Sequence, residues 1–224
     1  MATKNPATVT IYGRLSFPRF TYAEALANNQ KSPNPSPDPA KVKPDFSMLV
    51  EQAQLDKFVN HVENVFLPFC LSQHAAGEKR NALDAKQIER IKKVIDSDWE
   101  DQPPYIPIKP VDEKTLALAP EVVASIKVQG QASQDFVLKA IVNSEDELAV
   151  PDPDVLQFPI IKPISATVHD LYPGCYVAAT LNLYTYLSGK VPGLSAGANV
   201  AIFKADGERF GGGVEVDEDE IFAD

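Results

Sequence analysis

Residues 174–187 alternate almost without a break. Cys175, Val177, Ala179, Leu181, Leu183 and Leu187 fall on one side; Tyr176, Thr180, Asn182, Tyr184 and Tyr186 fall on the other. A period of two belongs to a strand with one buried face. The same signature opens the chain. In TVTIYGRLSF (8–17), Val9, Ile11, Leu15 and Phe17 point one way and Thr10, Tyr12, Arg14 and Ser16 the other. Proline reinforces the reading: 19 of 224 residues, against an average of roughly 5%, favours ordered loops and strand edges over a helical bundle.

Further strands are expected at 43–50, where Phe46, Met48 and Val50 form the apolar face, and at 122–128, 136–142, 155–168 and 197–204. The segment 18–42, with its NPSPDP run, reads as a long loop. Two helices are expected between the second and third strands. Leu55, Phe58, Val59, Val62, Phe66, Phe69 and Cys70 recur at helical spacing, with Pro68 expected to kink or end that helix. A shorter helix begins at Asp84, whose spacing to Gln87 forms a capping box, and buries Ile88, Ile91 and Ile95. Residues 99–110 are proline-rich and extended, and FGGG at 210–213 reads as a turn. The expected fold is mostly β with inserted helices: a small closed antiparallel barrel, which protects its own edges.

The net charge of −10 is unevenly spread. Residues 215–224 (EVDEDEIFAD) hold six acids and no base, so the other 214 residues net only −4. Residues 1–43 hold Lys4, Arg14, Arg19, Lys31, Lys41 and Lys43 against Glu24 and Asp38, a net of +4. The acidic end is too polar to form a core and is expected to be disordered. It could solubilise the protein. It could also lie weakly in a cationic groove of its own chain and offer Asp217, Glu218, Asp219, Glu220, Ile221 and Phe222 to a partner with a basic, apolar-floored pocket.

Enzyme signatures are missing from the sequence: it has no P-loop, GxGxxG, GxSxG or HExxH. His61, His74 and His169 are scattered and none pairs at metal-ligand spacing, and His61 falls on the polar side of its helix. Asp152 and Asp154 sit between prolines and read as loop solvation. No cofactor and no catalytic residue is expected. Cys70 and Cys175 lie in apolar runs and read as buried free thiols of a reducing compartment. With no apolar leader and no membrane span in the sequence, the expected location is the cytoplasm.

Binding features are better represented. Tyr12 and Arg14 share the outward face of the first strand, Arg19, Phe20 and Tyr22 open the following loop, and Tyr184 and Tyr186 share the polar face of the late strand. Rings interleaved with cations suit a single-stranded nucleic acid, whose bases stack for about 1–3 kcal/mol each while Lys and Arg track the phosphates. Lys31, Lys41 and Lys43 join Arg14 and Arg19 as phosphate contacts, and Trp99 and Tyr105 form a second stacking candidate. Taken singly, each strand tyrosine reads more readily as a residue packing at a half-buried edge, and Trp99 as the cap of a helix end.

The run YPGCYVAATLNLYTY (172–186), followed by GLSAGANVAIFKADGERFGGG (193–213), resembles the C-terminal half of a family of bacteriophage and prophage single-stranded DNA-binding proteins. TIYGRLSFPRF and PDFSMLV are similar to its N-terminal half, and the likeness spans most of residues 8–213. Where members commonly carry a lysine soon after the second strand, this chain has EQAQ. The resemblance implies an OB-fold that coats single strands with little sequence preference during replication, recombination or repair of phage DNA in the host cytoplasm. The acidic end resembles the tails by which such proteins dock replication or recombination proteins, and self-association along DNA is a further partnership the sequence leaves open. The division expected is a binding domain over 1–213 and a tail over 214–224. The alternatives are a non-enzymatic structural or adaptor β protein that docks a partner through its tail, and a metal-dependent nuclease.

Overall fold

A computed structural model describes residues 5–97, 99, 105–142, 160–163 and 171–210. Among these are nine strands: β1 (Thr8–Arg19), β2 (Asp45–Val50), β3 (Ile108–Pro110), β4 (Ala124–Gln129), β5 (Val137–Val142), β6 (Ile160–Pro163), β7 (Tyr176–Ser188), β8 (Val191–Gly197) and β9 (Val200–Ala205). Five of them close a hydrogen-bonded ring in the order β1–β2–β4–β8–β7 and back to β1. The pairings are antiparallel except β4 with β8, where Val128 faces Ala196 and Gln129 faces Gly197 in a parallel register. β9, β5 and β6 extend from β7 as a wing, again with one parallel pair, β5 with β9. The sheet is therefore mostly antiparallel, as expected, with two parallel pairs that the sequence did not signal.

Alternation does place the core. Val9, Ile11 and Leu15 of β1, Phe46, Met48 and Val50 of β2, Cys175 just before β7, and Val177, Ala179, Leu181 and Leu183 of β7 are all buried inside the ring. Two positions depart from the pattern. Leu187 is exposed, because β7 outruns its β1 partner. Phe17 is 67% exposed, because an irregularity between Ser16 and Arg19 inverts the facing of the strand's last residues.

The helices explain the remainder of the core. α2 (Gln52–His61) continues through a π turn (Val62–Phe66) into α3 (Leu67–Ala75), burying Leu55, Phe58, Val62, Phe66 and Cys70. Pro68 does not end this helix. The Leu67 N–H bonds back to the Val62 carbonyl, and proline stands at the start of the new α segment, where its missing N–H costs least. The polar side of α2 is not wholly solvated: His61 Nε2 lies 2.9 Å from the Pro6 carbonyl, tying the helix to the entry of β1. α4 (Ala85–Asp96) has both hydrogen bonds of the Asp84–Gln87 capping box and buries Ile88, Ile91, Val94 and Ile95. Trp99 packs against the same core. Cys70 and Cys175 are free and buried; burial pushes their thiols up to about 12 and about 11, so both stay protonated and inert.

The expected long loop at 18–42 is instead ordered by α1 (Tyr22–Lys31) and a 3₁₀ turn (Pro39–Lys41). Thr21 and Glu24 cap α1 reciprocally, a signal readable in the sequence. α5 (Glu113–Leu118), capped by the Asp112 side chain on the Thr115 N–H, and β8 were also not anticipated. Within β8, Gly193 lies under the Tyr186 ring, where any Cβ would strike it. The expected strand at 155–168 is described only over 160–163, and of the FGGG turn only Phe210 is described. His169, Asp152, Asp154 and the whole segment 214–224 lie outside the described residues.

Candidate nucleic-acid interface

The outward residues of β1, β2, β4 and β8 form one side of the site. Register sets Asp45 opposite both Arg19 and Gln129, and Ser47 opposite Lys127. Asp45 is 7% exposed and accepts from Arg19 Nε at 2.5 Å and from Lys127 Nζ at 2.9 Å. Burial alone would raise this carboxyl; the hydrogen bonds from Arg19 and Lys127 outweigh it and hold the pKa below the ordinary value. Two cations are thus held at fixed positions on the sheet by one carboxylate.

Three clefts run along this surface. A cleft of about 350 Å³ between the α1 connection and the sheet is lined by Arg19, Lys41, Lys43 and Lys127. It shares Lys43 and Gln129 with a larger one of about 690 Å³, which adds Lys139, Thr180, Asn182 and Tyr184. It shares Arg19 and Lys127 with a third of about 310 Å³. At the junction of the first two, Lys43 Nζ lies 5.5 Å from the Tyr184 ring centroid and 3.4 Å from its hydroxyl. That hydroxyl donates to Gln129 Oε1 at 2.9 Å, so the ring is held from its far end. Tyr186, 39% exposed, has its hydroxyl pKa raised by burial and by the nearby Tyr184 and Tyr105. Tyr105, 53% exposed, is anchored there by its carbonyl, which accepts from the Leu194 N–H. Tyr105 is therefore brought from a distant part of the sequence to Tyr184 and Tyr186 of β7.

The expected residues divide accordingly. Arg19, Lys41, Lys43, Tyr105, Tyr184 and Tyr186 are brought to this surface, and Lys31 is exposed at the end of α1. Tyr12, 38% exposed, stands elsewhere, six residues back along β7, about 20 Å at strand rise. Its ring has Lys204 at 3.9 Å and Lys57 at 5.4 Å.

Four expectations are corrected. Arg14 is 5% exposed and saturated: Nε donates to the Gly174 carbonyl, one terminal nitrogen to Glu121 at 3.0 Å and the other to the Glu208 carbonyl at 2.6 Å. Segments 172–176 and 206–210 lie over it. Phe20 is 2% exposed and locked in a three-ring cluster with Phe46 and Phe136, at centroid distances of 5.5 and 5.9 Å. Tyr22 opens a helix, not a loop, and its hydroxyl donates to the Pro39 carbonyl. Trp99 faces the core.

Lys127, Gln129, Lys139 and Lys109 escaped the sequence reading. Alternation within ASIKVQ was the available signal, since Lys127 lies between the inward Ile126 and Val128. Among the described residues no group of three or more His, Cys, Asp or Glu could hold a metal ion, and no helix is long and apolar enough to cross a membrane.

No family model and no curated protein matches the chain. Among solved structures, the fold is similar to that of the single-stranded DNA-binding protein from bacteriophage Enc34 in complex with single-stranded DNA. The identity is 12% and the TM-score 0.52, over 92% of this chain and 90% of that one. A second structure of the Enc34 protein aligns over 93% of this chain and 86% of that one, with 14% identity and a TM-score of 0.44. The single-stranded DNA-binding protein encoded by bacteriophage T7 aligns over 94% and 95%, with 12% identity and a TM-score of 0.40.

Proposed function

We propose that the protein is a non-enzymatic bacteriophage single-stranded DNA-binding protein whose ring of strands is an OB-fold. Counted in chain order, the ring strands are β1, β2, β4, β7 and β8. In OB-folds nucleic acid lies across the second and third strands, flanked by the loops joining the first to the second and the fourth to the fifth. Here those are β2 and β4, the α1 connection with Lys41 and Lys43, and the β7–β8 turn beside Tyr184 and Tyr186. The fold likeness to a phage protein in complex with single-stranded DNA supports the same reading.

The observation that carries it is Lys43 poised over Tyr184 in a run of clefts lined by Arg19, Lys41, Lys127 and Lys139. Phosphates would pair with the cations while bases stack on Tyr184, Tyr186 and Tyr105. Stacking accepts any base, so the strand is coated with little sequence preference. Replication, recombination or repair of phage DNA in the host cytoplasm is the setting for such an activity. Residues 1–213 are proposed as the binding domain. Residues 214–224 are proposed as a competing anionic tail that docks partner proteins through Asp217–Phe222 once DNA displaces it.

The test is fluorescence anisotropy with an unstructured oligothymidylate over a salt series. Four phosphate contacts would give a slope of log K against log salt near −3, at roughly −0.7 per contact. Removing 215–224 should tighten binding. No binding at moderate salt favours the adaptor reading, and Mg²⁺-dependent loss of the oligonucleotide favours a nuclease.

A further inference from the structure

The inversion near the end of β1 leaves a residue in a conformation that needs an explanation. Phe17 has φ +46°, a left-handed backbone that bulky side chains seldom adopt, and its ring is 67% exposed. Strained conformation and an aromatic ring in water both cost free energy, and bulges commonly serve to re-aim a side chain. The ring borders the third cleft, about 310 Å³, at the lower end of small-molecule sites. Three cations line it, Arg19, Lys109 and Lys127, against a single anion, Asp112. Ser47, Thr115 and Ser125 also line it with hydroxyls, beside the apolar Leu49, Pro110 and Val111. Arg19 and Lys127 also line the neighbouring cleft, so a strand crossing those two residues reaches Phe17 directly.

We propose that Phe17 is a base-stacking residue at the end of the DNA path. The strand leaves the β2–β4 surface over Arg19 and Lys127, and one nucleobase turns into the third cleft against the Phe17 ring while its phosphate meets Lys109. This rests on the single-stranded DNA reading above and adds a site that reading does not require. An anionic polymer with flat apolar rings matches the cleft's combination of cations, hydroxyls and one exposed ring better than a peptide does.

The experiment uses the full chain and two oligonucleotides of about twelve nucleotides, within the length one such fold covers: an oligothymidylate and an abasic backbone of equal length. Phe17→Asn removes the ring with a residue that tolerates the left-handed backbone. It should bind oligothymidylate about tenfold more weakly, bind the abasic backbone like the wild type, and melt no lower. Phe17→Trp should keep wild-type affinity and add fluorescence quenching on oligothymidylate beyond that of Trp99. Wild-type affinity in Phe17→Asn, or equal losses on both oligonucleotides, overturns the stacking role and leaves the main groove standing. A wild-type protein that binds neither oligonucleotide overturns both readings.

Discussion

Two cations rest on aromatic rings on the outside of the same ring of strands, and they do different work. Arg14 lies 4.3 Å from the Phe210 centroid, 5% exposed, with hydrogen bonds to Gly174, Glu121 and Glu208. Lys43 lies 5.5 Å from the Tyr184 centroid, exposed, with the tyrosine hydroxyl at 3.4 Å as its one hydrogen-bond partner among the described residues. The first is a staple. It joins β1 to the segments on either side of β7–β9, and Tyr172 reinforces it by bonding Asp206 and Gly207. Gly174 permits it, with φ +106° and no room for a Cβ beside the Glu208 carbonyl. The second has its donors facing water and can exchange that water for phosphate. Burial and saturation, not the residue pair, separate a structural cation–π contact from one available to a ligand.

The sharpest way to break the comparison is at the staple. Arg14→Met should cost about 3 kcal/mol, since it strips Glu121 and two carbonyls of their partner, and Gly174→Ala a similar amount from strain and collision. Urea unfolding measures both, and oligonucleotide affinity of the folded fraction should not change. A variant that loses affinity but no stability would reverse the assignment.

Asp45 lies between the two regimes, buried like the staple but placed in the groove. Its pKa is lowered in the fold, so its contribution to stability is full above the ordinary carboxylate value of about 4 and fades as pH falls through the lower folded value. Asp45→Asn should cost about 2 kcal/mol at neutral pH, with the gap to wild type closing in acid unfolding curves. The same change releases Arg19 and Lys127 and should tighten DNA binding about threefold, opposite in sign to its effect on stability.

At the groove, Tyr184→Ala should weaken oligothymidylate binding about tenfold, within the range for one stacked base. Lys43→Ala should lower the salt slope by about 0.7. Neither should move the melting temperature much, since both groups are partly or wholly solvated. The smallest effect expected is for Gly193→Ala, which must swing the Tyr186 ring aside at about 0.5 kcal/mol. Titration should then show affinity only about threefold lower.

Elements with a complete local signal were legible. The faces of β2 and β7, the burial stripe of α2 and the Asp84 capping box follow from periodicity and caps, which depend on residues a few positions apart. α1 had an equally local signal in Thr21 and Glu24, but it was masked by the prolines that follow. Pro18, inside a strand, was the available sign of the bulge that turns Phe17 outward, because proline in a strand interior is confined to edges and bulges.

What alternation along one strand determines is which residues share a face. It settled the inward set of β1 as far as Leu15 and of β7 as far as Leu183, and the outward placement of Tyr184 and Tyr186. Whether an outward face meets water depends on what else folds over it, and only the tertiary structure decided that. Arg14 and Arg19 are both polar residues of one strand. Residues more than a hundred and fifty positions away cover the first, while the second opens onto a cleft with Lys127. Tyr105 joined Tyr186, and β4 closed the ring against β8, through contacts that also join residues far apart in the chain. No short-range pattern encodes such contacts, because the chain's local preferences end within a turn or two of each residue.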